Sequence, residues 1–283
     1  MADQKHKRNH KKMIIFIIFV LIFIPVLLIL ASSGLTTTHY SYESTRVSKD
    51  LDGLTIVHLS DIHCKNFGRN NEKLIDAINR LEPDIILITG DSIDIHHQDL
   101  TPLENLFAGI CRTAPVYAIS GNHECVDADL YAQLIALYNK YGITDLDDKE
   151  IIFTYGSDSI SIKGIGAFEN KNRWDNEFML NKSPEMFSIL LDHYPLLDEL
   201  GVFGYDMILS GHIHGGIIRL PILGGLFGND RTLFPEYDSG QYTYARTTMY
   251  VSRGIGDTVI PRINNNPEIV CITLRHKDVT HND

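Results

Sequence analysis

The strongest constraint on the fold is the alternation of short apolar runs with helical patterns in the first half of the chain. The apolar runs have the length of buried strands, and the segments between them repeat apolar residues at helical spacing. Strand runs lie at 54–60, 84–90 and 115–120, and helical spacing at 70–81, 99–111 and 127–142. This order predicts an α/β layered domain with a mostly parallel sheet.

The second half of the chain has a different order. A hairpin is predicted at 151–166 and a short helix at 174–180, and the remaining segments are mostly strands. Further strand runs lie at 186–193 and 206–212, followed by strands with antiparallel character at 242–247, 248–254 and 268–275. Two mixed sheets packed face to face, with helices outside, fit this order.

The N-terminal region predicts a membrane anchor. Residues 13–31 are apolar and uncharged, about the length of a bilayer-spanning helix, and residues 1–12 carry a net charge of +4. Basic residues beside a first span stay in the cytoplasm, which places the remaining chain outside the cell membrane. The alternative is a cleaved signal peptide and secretion, since Ala31 is followed by two serines. Residues 32–52 are polar and predict a stalk, and 53–278 predict the catalytic domain.

Composition restricts the partners and the type of metal site. The net charge is −11 despite the basic N-terminus, so binding to a nucleic-acid polymer is not expected. The four cysteines form no CxxC pair, so a zinc-finger site is not expected either. They are interpreted as small buried residues, with a disulfide between Cys64 and Cys125 left open.

The candidate functional residues follow the predicted strands. Each apolar run is followed by side chains that bind metal or phosphate well, and the carboxyl ends of strands in α/β sheets are where ligands bind. These residues are Asp61, His63, Asp91, Asn122, His123, Glu124, His193, His212 and His214.

The spacing of these residues has a geometric meaning. Asp61 and His63 are two positions apart, as are His212 and His214, so each pair can face one ion in extended chain. Asp91 follows Gly90 at a strand tip, where its carboxylate can bridge two ions. Imidazole, carboxylate and amide donors suit divalent ions such as Mn²⁺, Fe²⁺ or Zn²⁺.

The ordered set of motifs resembles the calcineurin-like metallophosphoesterase superfamily over roughly residues 53–275. The matching blocks are Asp61-x-His63, Gly90-Asp91, Gly121-Asn122-His123-Glu124, His193 and Gly211-His212-x-His214. The resemblance implies a four-layer α/β/β/α sandwich. It implies a dinuclear-metal-dependent hydrolase whose metal-bridging hydroxide attacks phosphorus.

The resemblance also implies roles for individual residues. One ion is expected on Asp61, His63 and His214, the other on Asn122, His193 and His212, with Asp91 bridging them. His123 is expected to stabilise the transition state or protonate the leaving oxygen, and Glu124 to be structural. Asp192 either orients His193 or points away from it.

The substrate is less constrained. The glycine-broken apolar segment 216–228 is either a hairpin and loop buried against the domain or an apolar lip that contacts a lipid. Segments from 216 to 269 resemble a membrane-associated bacterial branch that includes phosphodiesterases similar to those cleaving the pyrophosphate of UDP-diacylglucosamine. This favours a phosphodiester or pyrophosphate bond in a lipid-linked substrate. Arg253 and Arg219 either bind substrate phosphate or form ion pairs.

Other functions remain as alternatives. A soluble nucleotide or cyclic-nucleotide phosphodiesterase, or a general phosphomonoesterase, would use the same metal residues without the lipid. A non-catalytic binding module is less favoured, because such modules usually lose ligands, and every motif is present here.

Overall fold

The structure is a computed structural model that describes residues 11–20, 22–23, 26, 34–168, 176–229, 231–258 and 260–278. No helix within these residues is long and apolar enough to cross a bilayer. The predicted anchor at 13–31 includes residues 21, 24, 25 and 27–31, which lie outside the described residues. The anchor therefore stays a prediction.

The first sheet has six strands in the order β1-β14-β2-β3-β4-β5. The central strands β2 to β5 are parallel, as the strand–helix alternation predicts, while β14 is antiparallel to β2 and parallel to β1. The strands are β1 Thr36–Ser44, β2 Thr55–Leu59, β3 Ile85–Thr89, β4 Val116–Ile119, β5 Thr144–Asp145 and β14 Glu268–His276.

The second sheet also has six strands, in the order β12-β13-β9-β8-β7-β6. Its two hairpins lie at the edges, and its four inner strands are parallel. The strands are β6 Lys149–Tyr155, β7 Asp158–Ile165, β8 Phe187–Asp192, β9 Met207–Ser210, β12 Gly240–Tyr244 and β13 Thr247–Val251. A short hairpin of β10 Arg219–Leu220 and β11 Gly224–Gly225 stands apart.

Of the five α-helices described between residues 34 and 278, four lie where they are predicted, and the short helix at Leu197–Leu200 was not predicted. α3 begins after Asp127, whose side chain accepts a hydrogen bond from the Leu130 amide, and ends at Gly142 in the left-handed region. The helices are α1 Glu72–Asn79, α2 Thr101–Ile110, α3 Ala128–Tyr141, α4 Asn176–Leu180 and α5 Leu197–Leu200, with 3₁₀ turns at Arg69–Asn71 and Gly201–Phe203.

Three apolar clusters define the layers. One lies between the two sheets, one joins the outer face of the first sheet to α1, α2 and α3, and one covers the outer face of the second sheet beneath α4 and α5. The fold is thus mixed α/β with sheet packed on sheet and helices outside, as predicted. None of the four cysteines, all within the described residues, forms a disulfide, so Cys64 and Cys125 are not linked.

The predicted stalk at 32–52 is wrong for most of its length. Residues 36–44 form β1, which pairs with β14 along nine residues, and Val47 and Leu51 are buried behind it. The strand contains Thr and Tyr in place of aliphatic residues, so a search for apolar runs misses it, although both residue types favour strands. β1 begins at the same edge of the sheet where β2, antiparallel to β14, ends.

Candidate metal centre

The predicted site residues converge at one edge of the two sheets. The loop after β2 carries Asp61 and His63, the loop after β3 carries Asp91, and the loop after β4 carries Asn122. The loop after β8 carries His193, and the loop after β9 carries His212 and His214. All of these strands lie in parallel stretches of their sheets, so their carboxyl ends face the same crevice.

The backbone is left-handed at five of these positions, although none is glycine. This conformation costs of order 1–3 kcal/mol per residue and persists only where the surrounding structure enforces it. Here the Asp61 amide donates to the Gly90 carbonyl and the His63 amide to the Asp91 carbonyl. The five residues, with φ between 48° and 72°, are Asp61, His63, Asp91, His212 and His214.

A first donor cluster forms around His214. Its Nε2 lies 3.1 Å from His63 Nε2 and 3.3 Å from Asp61 Oδ1. All three side chains are almost fully buried, and their donor atoms are close enough to hold one ion.

A second donor cluster forms around His193. Its Nε2 lies 3.0 Å from Asn122 Oδ1 and 3.2 Å from His212 Nδ1. The Nδ1 atom of His193 lies 2.8 Å from the Thr89 carbonyl, which fixes the ring. Asp192 does not perform this task, because its Oδ1 accepts from the Tyr194 amide.

Asp91 lies between the two clusters. Its Oδ2 is 3.4 Å from His193 Nε2 and 3.8 Å from His63 Nε2. Among the described residues, this buried oxygen has no hydrogen-bond partner, whereas Oδ1 accepts from the His123 amide at 2.8 Å. Buried carboxylate oxygens rarely lack a hydrogen bond, so Asp91 Oδ2 is well suited to bind a cation.

The charges around Asp91 favour its ionised form. Burial acts to raise the pKa of Asp91, but His193 outweighs it and holds the pKa below its ordinary value. For His193, burial acts to lower the pKa, but Asp91 and Asp61 raise it to about 10. Asp91 is therefore ionised beside a cationic His193, and a divalent ion could take the place of the His193 proton.

His123 lies at the mouth of the crevice. Its ring centroid is 4.5 Å from that of His63, and its Nδ1 is 3.8 Å from Asp94 Oδ1. Burial is the main cause that lowers the pKa of His123. Sequence analysis overlooked Asp94, whose only signal was its position three residues after Asp91.

Glu124 is structural, as predicted. Its carboxylate is 1% exposed and accepts four backbone N–H donors, from Gly121, Asp91, Ser92 and Ile93, at 2.7–3.1 Å. It thereby joins the loop after β4 to the loop after β3. Burial and the charge of Asp91 raise the pKa of Glu124 to about 7, while hydrogen bonds from the backbone act in the opposite direction.

Both candidate substrate-binding arginines are engaged within the protein. Arg253 Nη2 lies 2.9 Å from Glu268 Oε1, and Arg219 Nη1 lies 3.1 Å from Asp238 Oδ2. The structure thus places each in the ion pair that sequence analysis left as the alternative to phosphate binding.

Comparison with known proteins agrees with this geometry. The sequence profile of the calcineurin-like phosphoesterases matches residues 54–216. The chain belongs to this family. Calcineurin-like phosphoesterases hydrolyse phosphate esters with a dinuclear divalent metal centre, and the two donor clusters lie within the matched segment.

Named relatives agree with the family assignment. A metallophosphoesterase of Bacillus subtilis, YkuE, is 31% identical over 84% of this calcineurin-like chain and 85% of the relative. The phosphodiesterase YaeI of Escherichia coli is 25% identical over 77% of this chain and 81% of that protein. A transmembrane protein with a metallophosphoesterase domain from Bos taurus is 29% identical over 81% of this chain and 55% of that protein.

Proposed function

We propose that this calcineurin-like phosphoesterase hydrolyses a phosphodiester or pyrophosphate bond in an amphiphilic, lipid-linked substrate at the outer face of the cell membrane. The observation that carries the hydrolytic part is the position of Asp91 Oδ2, buried and unbonded between two donor clusters. The following residues would act around it.

One ion would be held by Asp61, His63 and His214, and the other by Asn122, His193 and His212, with Asp91 shared. Two bound Mn²⁺, Fe²⁺ or Zn²⁺ ions lower the pKa of water and neutralise charge on phosphate oxygens. The chain's own contribution is rigidity, since Glu124 and the Thr89 carbonyl fix the loops and rings that carry these donors.

His123 would donate a proton to the leaving oxygen. It lies beside the first cluster in a pocket of about 160 Å³, lined also by Asp94, His96 and His97. The Ile95 amide donates to His123 Nδ1 at 3.4 Å, which places the proton of the neutral ring on Nε2 and makes Nε2 the proton donor.

The amphiphilic substrate is supported by a polarity difference across the site. On the side of His212, a groove of about 400 Å³ has mostly apolar and aromatic walls, including Tyr194, Leu233 and Phe234. Leu233 and Phe234 are 69% and 55% exposed, and among the described residues no lysine or arginine lines the groove. The pocket on the side of His63 and His214 is lined instead by histidine, aspartate, asparagine and threonine. A substrate with a polar group on one side of its phosphate and an apolar chain on the other matches this arrangement.

The hairpin of β10 and β11 supports contact with lipid. Its turn exposes Ile222 completely and Leu223 by 67%, so the alternative of a hairpin buried against the domain does not hold at this tip. Isolated exposed apolar residues are ordinary, but adjacent ones at a hairpin tip favour insertion into an apolar phase. The basic residues before 13–31 support an extracytoplasmic position.

Metal removal tests the hydrolytic part of the proposal. Dialysis of the full-length protein against a chelator should abolish hydrolysis of bis(p-nitrophenyl) phosphate, and added Mn²⁺, Fe²⁺ or Zn²⁺ should restore it. The measurement is initial rate against metal content determined by elemental analysis. Full activity in protein shown to be metal-free would contradict the dinuclear mechanism.

A double substitution tests the lipid part. Leu233→Ser with Phe234→Ser should lower kcat/KM for a diacylated sugar pyrophosphate about 30-fold, because two apolar contacts are each worth about 1 kcal/mol. Bis(p-nitrophenyl) phosphate should be hydrolysed at nearly the wild-type rate. Ile152→Ser, which changes an exposed residue on the edge strand β6, is the control. An unchanged kcat/KM for the lipid substrate would instead favour the soluble nucleotide phosphodiesterase.

A further inference from the structure

Residues 252–258 and 260–265 lie outside the part of the chain matched to the family, yet they include residues that pack against the first donor cluster. The Gly256 amide donates to the Asp61 carbonyl at 2.6 Å, and the Ile255 amide donates to the Ser60 carbonyl at 3.0 Å. A Cβ on Gly256 would lie 2.7 Å from both the Asp61 carbonyl oxygen and His63 Cβ. The backbone at Gly256 therefore forms the support on which Asp61 and His63 rest.

Arg262 holds this support in place. Its guanidinium is hydrogen-bonded to the carbonyls of Arg253 at 2.7 Å, Gly256 at 2.8 Å and Gly254 at 3.3 Å. Three carbonyls of the loop 253–256 thus accept hydrogen bonds from one side chain, which holds the loop in its tight conformation.

The same guanidinium reaches the loop after β9. Arg262 Nη1 donates to the His214 carbonyl at 3.4 Å, which positions the backbone of this loop. Asn265 supports this contact, because its amide donates to the same carbonyl at 2.6 Å. Nη2 donates to His214 Nδ1 at 3.1 Å, so the proton of the neutral ring lies on Nε2 and would have to leave before Nε2 could hold an ion. One side chain thereby touches the loop after β9, which supplies His214, and the loop 253–256, which supports Asp61 and His63.

The burial of Arg262 argues for a role beyond stability. The residue is 7% exposed, and within the described part of the chain no carboxylate lies within ion-pair distance of it. Burial lowers the pKa of Arg262 to about 10. Asp61, Asp257 and Glu268 act on this charge only from beyond ion-pair distance. A guanidinium buried without a direct ion pair carries a desolvation cost that an apolar residue at this position would avoid.

We propose that Arg262 is a positioning residue that locks Asp61, His63 and His214 into one ion-binding cluster. This inference rests on the proposed function, since it concerns the same metal centre. Arginine is required because its planar fork meets carbonyls on two loops at once, whereas lysine offers a single point charge. The second cluster, around His193, does not touch Arg262 and should bind its ion without it.

Mn²⁺ binding to the full-length, metal-free protein tests the proposal. Arg262→Lys should weaken the affinity for one of the two Mn²⁺ ions about 10- to 100-fold, the usual effect of removing a group that orients a metal ligand. The other ion should bind as in wild type. At two equivalents of Mn²⁺ per chain, the electron paramagnetic resonance signal of the coupled Mn²⁺ pair should be present in wild type and lost in the variant, and it should return, together with kcat, at high Mn²⁺.

Arg46→Lys is the matched control. Arg46 also donates to two backbone carbonyls, those of Pro184 and Met186, and pairs with Asp206 away from the crevice. It should lower the melting temperature and leave both Mn²⁺ affinities unchanged. Arg262→Gln, which keeps amide donors without the charge, replaces Arg262→Lys if that variant fails to fold.

The outcomes separate the two proposals. Arg262 variants that fold and bind both ions with wild-type affinity would overturn the role of Arg262. Wild-type protein that binds two Mn²⁺ ions but hydrolyses no phosphodiester would contradict the proposed function and leave the role of Arg262 intact. Selective loss of one ion, with rescue by excess Mn²⁺, is the result we expect.

Discussion

Asp91→Asn should lower kcat/KM for a generic phosphodiester by about 10³-fold or more while leaving the protein folded. The substitution keeps the side-chain volume and the Oδ1 acceptor that the His123 amide uses. It replaces the unbonded Oδ2 with an amide nitrogen, which binds no cation, in the position shared by both donor clusters. Loss of charge stabilisation by bound metal is worth several kcal/mol in the transition state, and each 1.4 kcal/mol is about tenfold in rate.

Steady-state kinetics and Mn²⁺ stoichiometry of the purified variant would measure this effect. Asp129→Ala is the control, because Asp129 is an exposed residue in the first turn of α3 and should leave turnover unchanged. Circular dichroism establishes that both variants are folded. Wild-type turnover in folded Asp91→Asn would remove the basis for the dinuclear assignment.

Glu124→Gln should destabilise the protein by about 4 kcal/mol. The carboxylate accepts two N–H donors on each oxygen, so replacing one oxygen with an amide group turns two buried hydrogen bonds into donor–donor contacts. Each buried donor left unsatisfied costs about 2 kcal/mol. For a domain of this size, the melting temperature should fall by about 10 °C.

Thermal unfolding of metal-free protein isolates this effect from metal binding. Glu104→Gln provides the comparison, since Glu104 forms a partly exposed ion pair with Lys140 and should leave the melting temperature nearly unchanged. The same Glu124 variant should lose activity at temperatures where it remains folded, because the loops after β3 and β4 carry Asp91 and Asn122. Unaltered melting of Glu124→Gln would mean that these hydrogen bonds do not join the two loops.

The sequence predicted the donor residues because each directly follows a buried strand. Strand ends can be recognised from apolar runs, and parallel strands deliver their carboxyl ends to one edge, so Asp61 and His212 could be expected to meet. The predicted layers follow from the same runs and from the helical spacing between them.

Other features depend on contacts that spacing does not encode. β1 lacks aliphatic residues, so its Thr and Tyr residues were interpreted as a polar stalk. Arg262 lies in an irregular loop, and its role depends on carbonyls that only the folded backbone brings together. Asp94 and the exposed tip at Ile222 likewise have positions that loop conformation decides.

The start of β1 affects how the enzyme would sit on a membrane. If 13–31 spans the bilayer, only residues 32–35 connect it to Thr36, and four extended residues reach at most about 14 Å. Thr36 lies at the metal-bearing edge of the sheet, where its hydroxyl contacts Arg253. The catalytic mouth would then be held close to the lipid surface, so membrane-bound substrates would reach it by diffusion in two dimensions.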